Sequence, residues 1–407
     1  MTDAPDAPDA PDAPAASAKV PSRLGAVGIG ILIFNALTLA LWGVRLFKPD
    51  FLAGPLIPCL ALALLPGSLI ALFFRHKLAH TFYRVGLAGG LLVYLVLKKT
   101  LAPDRLWALL TDWQFLAAGA LCLAIPIFIG AWRWQMLLRG QKFTIGFWTI
   151  FRLTLVSYFF NTFIPGANGG DIYRFYQLAK IKAVPASAAA TTVLLDHFLG
   201  MPTLMLCVLI GVAANLGAGD GAAWAQYHYL VRFLGVAAAI AFGGSLLLLA
   251  GSMVLHSFTA RLEEKIPGGK TLAKVTAALA AYREQPRLII GAAAISAAMH
   301  AATLAAFWFF GQAAKMQEIG VSQYLFLVFA GLSINYIPVS PGGIGLGELG
   351  FETLFQMAPP FLADNGAAAA TMMIGYRLAM LFYGAIGWLL YVGGKHRLGE
   401  GEIKIGA

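Results

Sequence analysis

Asn335-Tyr336-Ile337-Pro338-Val339-Ser340-Pro341-Gly342-Gly343-Ile344-Gly345-Leu346-Gly347-Glu348-Leu349-Gly350 lies in the middle of a strongly apolar region. Its two prolines and five glycines cannot sustain a regular helix. Irregular backbone at membrane depth is viable only where protein or a water-filled cavity surrounds it. The chain contains a second copy of the device, Asn161-Thr162-Phe163-Ile164-Pro165-Gly166-Ala167-Asn168-Gly169-Gly170-Asp171. Both copies follow an apolar helix ending in Asn and Ile-Pro. In both, a Gly-Gly pair falls four and five residues after the proline, and an acid follows, Asp171 or Glu348. Paired broken helices at corresponding positions of two halves point to a transporter's binding site.

Composition agrees. The 407 residues are 59% hydrophobic and 12% charged, against about 25% charged in a soluble domain, so the chain is expected to be a polytopic membrane protein. The net charge of +10 does not point to nucleic acid, because the basic residues lie between apolar runs rather than on a polar face. Cys59, Cys122 and Cys207 all sit inside apolar runs and read as packing residues. No metal or other cofactor is expected.

Eight runs have the length of a span, at roughly 24–46, 51–74, 82–101, 113–138, 186–213, 229–255, 287–312 and 367–393. The broken-helix stretches fall between them, in 144–182 and 321–356, and read as re-entrant hairpins. The expected fold is therefore all-α, with about eight transmembrane helices and two re-entrant hairpins. Its division is a disordered Asp/Ala/Pro-rich tail (1–22), a two-helix extension (23–81), the main transmembrane domain (82–397) and a short tail (398–407). The basic 256–286 loop, with Arg261, Lys265, Lys270, Lys274 and Arg283, is expected in the cytoplasm. Tracing outward from it makes both termini cytoplasmic and opens the two hairpins to opposite faces, an inverted repeat. One loop disagrees: 98–112 is placed outside with Lys98, Lys99 and Arg105.

Asp196 and Arg377 lie well inside the fifth and eighth runs. Each costs ~2.5–3.5 kcal/mol at a span centre on insertion scales, so each needs a partner or a wet cavity. Two readings stand: a single ion pair locking two helices, or two groups staggered along a polar pathway. Asp171 and Glu348 are placed to cap a returning helix or to contact substrate. The amides of Gly169, Gly170, Gly342 and Gly343 read as a possible cradle for an anion such as a phosphodiester, with Arg174 adding charge and Arg152 further out. Asn161, Asn335 and Ser340 complete the candidate site. His197 and His300 read as packed residues ahead of proton relays. Trp132-Arg133-Trp134 reads as an interfacial anchor at the end of the fourth span.

These segments resemble the lysylphosphatidylglycerol synthase transmembrane-region family, also described as flippase-like membrane proteins, which includes the flippase half of the multiple peptide resistance factor. The resemblance rests on Trp-Arg-Trp-x-x-Leu-Leu (132–138), Asn161 to Arg174, Val-Leu-Leu-Asp-His-Phe-Leu-Gly (193–200), Pro-Val-Ser-Pro-Gly-Gly-Ile-Gly-Leu-Gly-Glu (338–348) and Tyr-Arg (376–377), and covers roughly 82–393. Two departures matter. The family usually carries Asp-Arg where this chain has Asp196-His197. The sequence to Ala407 also holds no counterpart of the soluble aminoacyl-transferase domain, so no lysyl transfer is expected of it. The resemblance implies a lipid transporter of the cytoplasmic membrane whose partners are lipids with an anionic or otherwise charged headgroup. The competing functions are a membrane-embedded enzyme or accessory subunit in lipid or glycolipid synthesis, and a non-transporting scaffold.

Overall fold

The computed structural model describes residues 35–36, 56–73, 76–163, 169–181, 184–217, 219, 221–254, 282, 285–335, 340–361, 363–394 and 403–405. The 1–22 tail, nearly all of the first expected span and of the 256–286 loop, and the prolines Pro165 and Pro338 lie outside the described residues.

The helices are α1 (Leu56–Phe73), α2 (His76–Leu97), α3 (Pro103–Thr111), α4 (Trp113–Gly140), α5 (Phe147–Phe163), α6 (Gly169–Ala179), α7 (Ala186–Asn215), α8 (Ala222–Val254), α9 (Pro286–Ala313), α10 (Val321–Asn335), α11 (Leu346–Gln356) and α12 (Ala363–Val392). Five of them contain a stretch long and apolar enough to cross a membrane: Trp113–Gly140, Ala186–Asn215, Trp224–Leu246, Pro286–Ala313 and Asp364–Val392. These match five of the eight expected runs. Phe82–Leu97 and Val321–Asn335 are shorter apolar helices. The all-α expectation needs one amendment. β1 (Phe143–Ile145) pairs antiparallel with β2 (Ile403–Ile405), so part of the expected C-terminal tail is a strand joined to the turn between α4 and α5.

The bundle has two ends, fixed by contacts between helix termini. At the ribbon end, the carbonyl of Gly140 accepts from Gln285 Nε2 at 2.9 Å, joining the end of α4 to the start of α9. The β pairing brings the chain beyond α12 to the start of α5. At the opposite end, Lys315 pairs with Asp112, joining the end of α9 to the start of α4. There too Asn215 Nδ2 donates to the Ser322 carbonyl at 2.9 Å, and Asn365 Oδ1 accepts from the Gln317 amide at 3.2 Å. α5 therefore begins at the ribbon end and α10 at the opposite end.

Packing exchanges the two halves. α4 lies along α9; α5 packs on α12, and α10 packs on α7. In each exchange a glycine late in the long helix lets it lie against the partner's backbone. A Cβ on Gly387 would stand 2.2 Å from the Leu155 carbonyl oxygen of α5, and one on Gly211 would stand 2.7 Å from the Phe326 Cα of α10. Small residues at such crossings are how helices approach closely where no hydrophobic drive separates protein from lipid. The largest apolar cluster, including Phe307, Phe310, Phe326, Phe351 and Phe355, draws on both halves. The fold is thus one interlocked body around the two broken-helix stretches.

Charge is distributed unequally between the ends. At the opposite end three bases are paired, Lys98 Nζ with Glu352 at 2.7 Å, Arg105 with Asp364 at 2.9 Å, and Lys315 with Asp112, while exposed Lys99 joins no ion pair among the described residues. At the ribbon end Arg139, Lys142, Lys180 and Arg287 are exposed and join no ion pair among the described residues. The loop whose lysines and arginine disagreed with the charge rule is therefore largely neutralised: Lys98 and Arg105 each bind an acid.

Candidate functional site: two arginine–carboxylate clusters

The sequence-selected residues gather into two separate clusters, one at each broken helix. In the first, Gly169 and Gly170 open α6 and are buried. The Gly170 N–H donates to Asn161 Oδ1 at 2.7 Å, which ties the start of α6 back to α5 across the break. A Cβ at 170 would stand 2.4 Å from the Ser157 carbonyl oxygen, so only glycine allows this approach. One turn along, Arg174 reaches across to α7. Its Nη1 donates to Asp196 Oδ2 at 3.1 Å and its Nε to Ser157 Oγ at 3.2 Å. The guanidinium lies over the Trp134 ring, 4.9 Å from the centroid.

The other oxygen of Asp196 belongs to Arg133. Arg133 Nε donates to Asp196 Oδ1 at 2.8 Å, Nη2 to the Asp196 carbonyl at 2.9 Å and Nη1 to Ser296 Oγ at 2.6 Å. Three helices, α4, α6 and α7, thus meet at one carboxylate, and α9 joins them through Ser296, which accepts from Arg133. Arg133 and Asp196 are each only 6% exposed. This corrects the interfacial reading of Trp-Arg-Trp: Trp132 is exposed, but Arg133 and Trp134 are buried. A sequence signal existed. Arg139 already marks the end of α4, and Arg133, six residues earlier, lies ~9 Å deeper at ~1.5 Å per residue.

Beside this core, Asp171 Oδ2 meets His197 Nδ1 at 3.3 Å, a second link from α6 to α7. His300 serves a local role, with Nε2 at 3.2 Å from the Gly200 carbonyl and 3.3 Å from Thr203 Oγ1. Arg152 donates along its own helix, to the Trp148 carbonyl at 3.3 Å and to Thr149 Oγ1 at 3.1 Å.

The second cluster is built on Arg377 of α12. Nε donates to Glu348 Oε1 in a short contact, and Nη1 to the Gly342 carbonyl at 2.8 Å. Nη2 is shared among the Gly343 carbonyl at 2.8 Å, Asn335 Oδ1 at 3.0 Å and Glu348 Oε2 at 3.3 Å. Glu348 is fully buried, and its Oε2 also accepts the Gly345 N–H at 2.7 Å, capping α11. Its capping and charge-pairing roles coexist. The chain turns here through Gly342 (φ 57), Gly343 (φ 71) and Gly345 (φ 81), all in the region other residues avoid. A Cβ on Gly343 would also stand 2.2 Å from Asn335 Oδ1. Ser340 is buried with no partner for Oγ among the described residues.

Asp196 and Arg377 therefore do not pair with each other; each is held in its own half. The halves use the same plan with the charges reversed. In the first, the short helix carries the arginine and the following long helix the carboxylate (Arg174, Asp196); in the second, the short helix carries the carboxylate and the long helix the arginine (Glu348, Arg377). The amides of Gly170, Gly343 and Gly345 all donate within the protein, to Asn161, the Ser340 carbonyl and Glu348 respectively. The guanidiniums are the charged donors these clusters hold. Sequence reading also missed Glu352, whose Oε1 accepts from Lys98 and, at 2.8 Å, from Thr100.

Neither a curated protein nor a solved structure matches the chain. The family model described as the lysylphosphatidylglycerol synthase TM region matches residues 81–387, which contain both broken helices and both clusters, and the protein belongs to that family.

Proposed function

We propose that this multi-pass membrane protein is a transporter that moves a lipid with a charged headgroup between the leaflets of the cytoplasmic membrane. The observation that carries this reading is the pair of charge-reversed clusters, each joining a broken helix to the next long helix. Such ion pairs hold buried charges satisfied while the site is empty. A lipid phosphate entering the first cluster would displace Asp196 from Arg174 and take its place as a charge-assisted partner. Trp134 Nε1, buried without a partner among the described residues and carrying Arg174 over its ring, offers a further donor.

The broken helices are read as re-entrant hairpins. α6 and α11 have 11 residues each, about 16 Å at ~1.5 Å per residue, half of a ~30 Å hydrocarbon core. α5 enters from the ribbon end and α10 from the opposite end, and the halves exchange packing partners; both features support an inverted repeat suited to alternating access. The unpaired bases at the ribbon end support a cytoplasmic ribbon end. The reading is of transport without covalent chemistry on the lipid, and of no nucleic-acid partner.

The test is leaflet-resolved movement of fluorescent phosphatidylglycerol in proteoliposomes, read by dithionite quenching. The wild-type protein should speed exchange well above protein-free vesicles, and Arg174→Gln and Arg377→Gln should abolish the gain at normal reconstitution. Exchange no faster than in empty vesicles refutes the proposal.

A further inference from the structure

The polar groups around Asp196 have a charge balance that depends on one side chain. Two guanidiniums, Arg133 and Arg174, face two carboxylates, Asp171 and Asp196. The group is neutral when His197 is neutral and carries one positive charge when His197 is protonated. Asp196 has both oxygens occupied by arginines, whereas Asp171 has His197 as its charged partner. The histidine pair is also the open edge of the cluster: the side chains of His197 and Asp171 are 37% and 22% exposed, against 7% and 8% for Arg133 and Asp196.

We propose that His197 and Asp171 form a proton-binding site, and that the protein carries one proton together with one singly anionic lipid headgroup. This rests on the transporter reading and adds its driving force and the charge of its cargo. The reason is electrostatic. An uncompensated positive charge at this depth is costly, so protonation of His197 is favoured when an anion sits among the arginines. By linkage, the anion binds better when His197 is protonated. Proton and anion together leave the cluster neutral, and so the loaded site crosses without net charge.

The groups acting on His197 support this assignment. Asp171 comes from α6, Arg133 from α4, and Asp196 from its own helix. From α9, His300 is engaged with Gly200 and Thr203. The other helices packed on α7, namely α8 and α10, place no charged side chain in ion-pair contact with it among the described residues. The second cluster has no histidine, and Glu348 and Arg377 enclose each other. Proton sensitivity therefore belongs to the first hairpin, which also links α6 to α7 through this pair.

The test has two readouts. In proteoliposomes with the potential clamped by valinomycin and potassium, labelled phosphatidylglycerol should accumulate in the leaflet facing the alkaline side. The limit is about tenfold per pH unit for one proton per lipid. Phosphatidylcholine should show no such ratio. In His197→Gln the ratio with and without the gradient should fall to about one, whatever the absolute rate. Independently of transport, the ring resonances of isotope-labelled His197 in detergent, assigned by loss in His197→Gln, should titrate at higher pH in phosphatidylglycerol than in phosphatidylcholine micelles. A gradient response retained by His197→Gln, a gradient-independent wild type, or an unshifted His197 titration each overturns this inference while leaving the transporter reading standing. No lipid movement by the wild type refutes the transporter reading and this inference with it.

Discussion

Arg133→Met is the most informative single change, because it separates a buried charge network from a membrane-interface anchor. Arg133 makes three hydrogen bonds, two to Asp196 and one to Ser296, at 2.6–2.9 Å. Removing it leaves Asp196 Oδ1 buried with only Arg174, on the other oxygen, to balance the carboxylate. Breaking a buried pair from one side costs ~3–5 kcal/mol; since Arg174 remains, the expected loss is the lower value, about 3 kcal/mol. Asp196→Asn strands two guanidiniums and should cost the upper value, ~4–5 kcal/mol. The combined variant should lose less than the two losses added, with a coupling of ~1.5–3 kcal/mol, as for residues of one ion-pair network. The assay is reversible unfolding in mixed dodecylmaltoside–SDS micelles, followed by tryptophan fluorescence. An exposed interfacial arginine would instead cost ~1 kcal/mol or less. Loss in that range, or strict additivity in the double variant, refutes the network.

Asp196→Asn combined with Arg377→Gln should transport no better than either single variant, because the two residues hold different partners; rescue by the pair in the phosphatidylglycerol assay would show a direct bridge. Glu348→Gln should destabilise the protein by ~3–5 kcal/mol in the same unfolding assay, since Arg377, largely buried itself, loses the counter-charge of a fully buried carboxylate. Gly343→Val places a Cβ 2.2 Å from Asn335 Oδ1 at φ 71, and Gly170→Val places one 2.4 Å from the Ser157 carbonyl. In oriented proteoliposomes the first should impair exchange with the outer leaflet and the second capture from the inner leaflet. Equal loss from both sides would limit these glycines to shaping the fold. Cysteines introduced at 218 and 362 should react with an impermeant thiol reagent in intact cells and one at 268 should not; labelling at 268 would reverse the proposed orientation.

Much of the architecture was written in the linear pattern, because lipid exposure imposes a one-dimensional rule: about twenty apolar residues make a span. Length and hydropathy were enough to place α4, α7, α8, α9 and α12. The two Asn–Ile-Pro–Gly-Gly stretches were legible for a related reason, since clustered prolines and glycines break a helix, whereas the single prolines Pro126 and Pro202 lie inside α4 and α7. The pairing of charges was decided only by tertiary structure. Arg133 looked interfacial because sequence gives its distance from a helix end but not the face it presents. Its carboxylate lies 63 positions away on another helix. The same holds for Lys98 and Glu352, 254 positions apart, whose contact neutralises a base that a count of charges along the chain treats as free. Spans are local properties of the chain; ion pairs depend on which helices the interlocked halves bring together. That exchange, α5 on α12 and α10 on α7, is governed by close approach at Gly211 and Gly387, and no local signal in the sequence names the backbone on the other side of either contact.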